Sequence, residues 1–164
     1  MTHSLMPLSG TKEEIYIQLL PQLQHLVRDE ENHIANLANI TAALKSALGF
    51  FWVGFYLVEG PWLVLGPFQG ELACTRIARG KGVCGKAWEK QQVLIVDDVD
   101  KFDGHIACSS KSRSEIVVPV ISSNRVIAVI DVDSEQLAAF DNVDRRYLTE
   151  IADLVAGLPG LKAF

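Results

Sequence analysis

Two apolar runs separated by a short polar break constrain this chain most. Ile116-Val-Val-Pro-Val-Ile121 and Val126-Ile-Ala-Val-Ile-Asp-Val132 are rich in β-branched residues, and Ser122-Ser-Asn-Arg125 lies between them. They predict a strand hairpin turning across Ser123-Asn124. Almost wholly apolar, the second run reads as buried on both faces, so the fold must cover the sheet on each side. A small polar loop, Asp103-Gly-His-Ile-Ala-Cys108-Ser-Ser-Lys-Ser-Arg-Ser-Glu115, feeds the first run, and the second ends in Asp131 and Asp133. A rigid sheet would thus hold a thiol and two acids at the mouth of one pocket.

The rest of the chain supplies the cover. Thr11-Lys-Glu-Glu14 is a capping box opening a helix whose apolar side is Ile15, Leu19, Leu20, Leu23, Leu26 and Val27. Pro21 inside it predicts a kink or two shorter pieces. Asn32 caps a second helix with Ile34, Leu37, Thr41, Leu44 and Leu48 at helical spacing, ended by Gly49. Phe50-Phe-Trp-Val-Gly-Phe-Tyr-Leu-Val58 reads as a central strand. With a period of two, Trp52, Gly54 and Tyr56 share one face, and Phe51, Val53, Phe55 and Leu57 the other. Gly60-Pro61 turns the chain into a returning strand over 62–65, and a short strand follows around 72–77. Gly80-Lys-Gly-Val-Cys84-Gly85 opens a short helix over 86–90, and residues 93–96 are a strand. Residues 97–114 have no periodicity, and unpatterned loops of that length are usually functional. Asp141 or Asn142 caps a last helix burying Tyr147, Leu148, Ile151, Leu154 and Val155. Hairpins rather than regular strand–helix alternation imply an α+β sandwich, a mainly antiparallel sheet flanked by helices.

At 164 residues this is expected to be one domain over 1–164, large enough for its own core. A net charge of −5 gives no footprint for nucleic acid. No apolar run is long enough to span a bilayer, and residues 1–10 lack the pattern of a signal peptide, so a cytoplasmic location is expected. Three cysteines do not suit a secreted disulfide framework.

Several motifs fail on their context. Gly80-x-Gly82-x-x-Gly85 matches the dinucleotide string but lacks a buried strand before it and a full-length helix after it, so a glycine-permitted turn explains it better. Asp98-x-Asp100-x-x-Asp103 lacks calcium-loop spacing, no cysteine pair has zinc-finger spacing, and no metal or cofactor is expected. A cysteine hydrolase would need Cys108 paired with His25, His33 or His105, and the sequence selects none. Cys74 suits a small buried hydrophobe. Cys84, at a helix start, should be favoured as thiolate, and Lys111 and Arg113 would lower the pKa of Cys108 if they point towards it. Asp131 and Asp133 share a strand face with Val129 and Ile127. A plain two-residue turn pairs Ile116 with Asp131 and sends Glu115 to the opposite face; a bulge near Pro119, or Glu115 belonging to the loop, brings it back.

Phe51-Trp-Val-Gly-Phe-Tyr56, the Gly80–Gly85 turn, Asp103-Gly-His-Ile-Ala-Cys108, Ser112-Arg-Ser-Glu-Ile-Val-Val-Pro119 and Ile130-Asp-Val-Asp-Ser134 together resemble the GAF-domain free methionine-(R)-sulfoxide reductases over about residues 11–158. The resemblance implies a GAF sandwich of about six antiparallel strands and allows a homodimer. It makes Cys108 the nucleophile, Cys74 and Cys84 the resolving candidates, Glu115, Asp131 and Asp133 the acidic substrate-binding set, and Trp52 and Tyr56 the lining of a methyl pocket. It also implies free methionine sulfoxide as substrate and thioredoxin as reductant.

The residues suit that chemistry. A thiolate attacks the sulfoxide sulfur and the sulfenic acid condenses with a second cysteine. A buried carboxyl can protonate the oxygen, and an acid can pair the ammonium of a free amino acid. Aromatics flanking Gly54 should leave room for the S-methyl group. The alternative is a non-catalytic GAF ligand-binding or thiol redox-sensing protein, which the lack of an output domain after residue 158 argues against.

Overall fold

The computed structural model describes residues 4–161. The expectations of one domain over 1–164 and of no signal peptide at the N-terminus fall partly outside that range.

Three of the four α-helices among the described residues begin where a side chain satisfies their free amides, the short helix that opens at Gly82 being the exception. α1 (Lys12–Leu26) has the Thr11–Glu14 capping box, α2 (His33–Leu48) is capped by Asn32, and α4 (Asn142–Ala156) by Asp141. α1 runs unbroken through Pro21, where the sequence predicts a kink or a split. Pro21 is exposed, so the carbonyl left without an N–H partner lies where water can bond it. Ile34, expected inside, is 56% exposed. It stands about 120° around α2 from Ile40, at 100° per residue, and the buried stripe runs through Leu37, Ile40, Thr41 and Leu44 instead.

The strands are β1 (Trp52–Glu59), β2 (Trp62–Gln69), β3 (Arg76–Ala78), β4 (Leu94–Val96), β5 (Ser114–Ser122) and β6 (Arg125–Ser134). They form one antiparallel sheet in the order β3-β2-β1-β6-β5-β4, which makes β1 and β6 central as their two-sided apolarity requires. α3 (Gly82–Lys90) starts four residues earlier than expected and takes Cys84 into its first turn. β3 is shorter and later than the predicted 72–77 strand.

The β1 periodicity sorts the two faces as predicted from Trp52 to Leu57, whereas Phe51, which precedes the strand and so escapes its alternation, packs on the smaller core and not with Val53. Val53 and Phe55 join Ile116, Val118, Ile130 and Val132 against α1, α2 and α4 in the larger core. Trp52 and Tyr56 join Val117, Val129, Cys84 and Trp88 in a smaller core under α3. Ile127 lies in the larger core and not on the face of Asp131, where the sequence put it. The cause is a bulge: Val120 pairs with Ala128 but Ile121 pairs with Val126, which leaves Ile127 as an extra residue on β6.

Candidate active site

That bulge also resolves the position of Glu115. It shifts the β5–β6 register by one residue, so that Glu115 pairs with Asp133 and Val117 with Asp131. On the other side of β6, Trp52 pairs with Asp133 and Gly54 with Asp131. Two rows therefore cross three central strands on one face: Trp52, Asp133, Glu115 and Gly54, Asp131, Val117. All three acids line one pocket together with Trp52, Tyr56, Cys84, His105 and Cys108.

Cys108 is bonded to Cys74, with Cα atoms 5.3 Å apart, and Cys84 is free. The disulfide joins the 97–113 loop to the β2–β3 connection, and a Lys111–Glu71 ion pair ties the same two segments again. Lys111 is thus engaged by Glu71, and Arg113 is exposed with its backbone bonded to Ser134 and Val99. The β2–β3 connection is anchored from beneath by the aromatics. Trp52 Nε1 donates to the Glu71 carbonyl at 3.0 Å and Tyr56 Oη to the Cys74 carbonyl at 2.9 Å. The two aromatics expected in the lining therefore also hold the backbone that carries Cys74.

Three expectations about this site reverse. Cys84 is not a favoured thiolate: it is buried, and burial followed by the charges of Asp131, Glu115 and Asp133 pushes its thiol up. Cys74, expected as a buried small hydrophobe, is only partly buried and forms the disulfide. The space over Gly54 is not open for a methyl group either. A Cβ there would lie 2.4 Å from the Trp52 ring and 2.5 Å from Phe68 Cβ, because the indole folds over the glycine and stacks on Phe68 at 5.3 Å. Glycine at 54 lets the indole lie flat.

The acids are crowded and largely buried. Burial raises Asp131 to about 6. Burial, then the charges of Asp131 and Asp133, hold Glu115 well above the usual carboxyl range, and burial followed by Asp131 does the same to Asp133. Cys84 Sγ lies 3.9 Å from Glu115 Oε1. His105 Nε2 lies 3.8 Å from Glu115 Oε2, but burial lowers its pKa, so the imidazole is a neutral neighbour and not an ion-pair partner. His105 and Ser112 lie in the segments that carry the family resemblance but received no role in the pocket from the sequence; Ser112 is buried beside Asp133 and favours its charged form. The Gly80–Gly85 glycines have geometric causes. Gly80 and Gly82 have φ of 77° and 58°, and a Cβ at Gly85 would meet the Ala78 carbonyl at 2.3 Å.

A thiol pair at the rim and a carboxyl cluster on the floor can carry out thiol redox chemistry on a small cationic ligand. Among known proteins, the GAF domain family model matches residues 29–158. The chain is 45% identical over 141 residues to the free methionine-R-sulfoxide reductase of Escherichia coli, covering 85% of this chain and 86% of that protein. It is 58% identical over 147 residues to GAF domain-containing protein A of Dictyostelium discoideum, covering 89% and 93%. A solved structure of free methionine-R-sulfoxide reductase from Neisseria meningitidis in complex with its substrate superposes with a TM-score of 0.92 at 54% identity, covering 94% of each chain.

Proposed function

The chain belongs to the GAF-domain family of free methionine-(R)-sulfoxide reductases, and from that premise we propose how its pocket works. It is an oxidoreductase that reduces free L-methionine (R)-sulfoxide to methionine. The observation that carries the assignment of roles is the Cys74–Cys108 disulfide at the rim of a pocket floored by Glu115, Asp131 and Asp133.

Cys108 is the nucleophile. Its thiolate attacks the sulfoxide sulfur, the oxygen is protonated and ends on Cys108 as a sulfenic acid, and methionine departs. Cys74 then attacks the sulfenic sulfur, closing the disulfide and releasing water. Cys84, buried and with a raised pKa, is the poorer resolving thiol. One turnover without reductant is expected to leave a single free thiol of the three, and peptide mapping should find it at Cys84. Three free thiols after turnover would rule out a resolving step.

Asp131, with its pKa near 6, is largely ionised at pH 7 and takes the substrate ammonium. Glu115 and Asp133, held well above the usual carboxyl range by burial and by their neighbouring carboxylates, are the carboxyls placed to donate a proton to the oxygen. Trp52 and Tyr56 give the methyl group an aromatic wall. Asp131→Asn should raise KM more than tenfold, about 1.4 kcal/mol. Because Asp131 ionises only above about pH 6, wild-type KM should fall as pH rises from 5 to 7. Wild-type binding in the Asn variant would remove Asp131 from the role.

The same shift fixes a sign for stability. The folded carboxyl holds its proton longer than the unfolded one, so the contribution is complete below the unfolded pKa of about 4 and lost as pH rises through about 6. A bound ammonium offsets that loss.

With the disulfide closed the cavity is about 40 Å³, room for roughly three waters. Reduction therefore precedes entry of the amino acid. We take the reductant to be thioredoxin, the location cytoplasmic, and residues 1–164 to be one GAF domain. No helix among the described residues is long and apolar enough to cross a membrane. A homodimer would cover exposed Ile17 and Ile34 on α1 and α2.

The deciding experiment incubates purified protein and a dithiol with each epimer of free methionine sulfoxide. Methionine should appear from the R epimer alone. Release from neither epimer would leave a GAF ligand-binding protein.

A further inference from the structure

Cys84 has no role in the reaction just described, yet it lies at the bottom of the pocket. Its Sγ, a carboxylate oxygen of Glu115 and one of Asp131 are all within 4.8 Å of one another, and all three residues are buried. Asp131 Oδ1 is buried with no hydrogen-bond partner among the described residues. An amino-acid ammonium would satisfy that oxygen, but it has nothing specific to offer a thiol. A donor set of one soft sulfur and two carboxylates instead suits a borderline-soft divalent cation of the zinc class, whereas magnesium and calcium prefer all-oxygen shells.

The spacing is close to what such an ion needs. With metal–sulfur near 2.3 Å and metal–oxygen near 2.1 Å, tetrahedral edges come to roughly 3.4–3.6 Å. The 3.9 Å gap between Cys84 Sγ and Glu115 Oε1 must shrink by only a few tenths of an ångström. No spread among the three exceeds 4.8 Å, so no donor has to move by more than about the length of a side-chain readjustment. The fourth position faces the cavity, which Asp133 and His105 also line, and is open to one of them or to water.

We propose that the floor of this pocket binds a zinc-class divalent cation through Cys84, Glu115 and Asp131, and that the cation and the free amino acid exclude each other. The exclusion rests on the placement of the substrate ammonium at Asp131 given above; the cation site itself does not. The binding step is an exchange in which the Cys84 proton leaves for solvent as the sulfur–metal bond forms.

The test uses the full chain in its oxidised state, where Cys84 is the single free thiol, titrated with Co²⁺ in the absence of reductant. A near-ultraviolet thiolate-to-cobalt charge-transfer band should grow to saturation at one equivalent and be bleached by Zn²⁺. Cys84→Ser should lose the band, and Glu115→Gln, which keeps the thiol, should weaken Co²⁺ binding more than tenfold with an unchanged circular dichroism spectrum. The spectrum of aquated Co²⁺ alone, or a band that survives Cys84→Ser, overturns the site. Excess free methionine should displace the ion from a Cys74→Ser/Cys108→Ser double variant, which has no disulfide to shut the cavity and keeps Cys84 as its single thiol. A band that methionine leaves untouched overturns the mutual exclusion and with it the ammonium placement, while turnover by metal-free protein, measured separately, judges the reductase reading.

Discussion

Cys108→Ser is expected to abolish sulfoxide reduction down to the uncatalysed background. The variant keeps every carboxyl and both aromatics, so the ligand can still be held. What is lost is the sulfur assigned both to attack the sulfoxide and to accept the oxygen, since a serine hydroxyl has no state corresponding to the sulfenic acid. The control lies in stability. The native disulfide closes a loop with a sequence separation of 34, which on a chain-entropy estimate is worth about 4 kcal/mol. Cys108→Ser should therefore unfold earlier than oxidised wild type but together with the reduced wild type. Methionine release at the wild-type rate would remove Cys108 from catalysis. Loss of activity in a protein less stable than reduced wild type would show that the substitution had damaged more than the chemistry.

Free methionine sulfoxide should be reduced at least a hundredfold more efficiently, in kcat/KM, than the same epimer acetylated at its amino group and amidated at its carboxyl. The blocked compound brings no ammonium to Asp131. The penalty is less than that of a fully buried bare charge, because Asp131 can take a proton instead; with a pKa near 6 that needs about 1.4 kcal/mol at pH 7. The lost charge-assisted hydrogen bonds add about 1.5–3 kcal/mol. A hundredfold is about 2.7 kcal/mol, within the sum of the two. For a residue inside a protein there is a further obstacle, since the flanking chain would have to pass between the 97–113 loop and the β2–β3 connection. Comparable efficiency for free and blocked substrates would mean that the carboxyls are not met by an ammonium.

Much of this molecule follows from rules that act over a few residues. Capping at Thr11, Asn32 and Asp141 depends on one side chain reaching amides two or three positions on, so these helix starts could be read directly. Two-residue alternation put Trp52 and Tyr56 on one face of β1 and Val53 and Phe55 on the other. The same alternation brought Asp131 and Asp133 together, and the Ser123-Asn124 turn was visible as a break, with both residues at positive φ. The resemblance carried by the cysteine-bearing segments added roles that no periodicity contains.

What the sequence left open depends on contacts between distant segments. A bulge of a single residue at Ile127 decides whether Glu115 faces the acids or the opposite core, and nothing in the apolar pattern of β6 records it, since Ile127 is apolar for either face. Which cysteine meets Cys108 is a matter of where two loops come to rest, set by Trp52 and Tyr56 bonding backbone carbonyls and by Lys111 reaching Glu71. The raised pKa of Cys84 needs its burial against the sheet and then the three carboxyls of β5 and β6, against which the local helix-start argument is the weaker effect. The sequence determined most of the strands, the alternation along each and the reactive residue types. Tertiary structure alone decided their pairing and protonation, because burial and register are properties of the assembled sheet and not of any one segment.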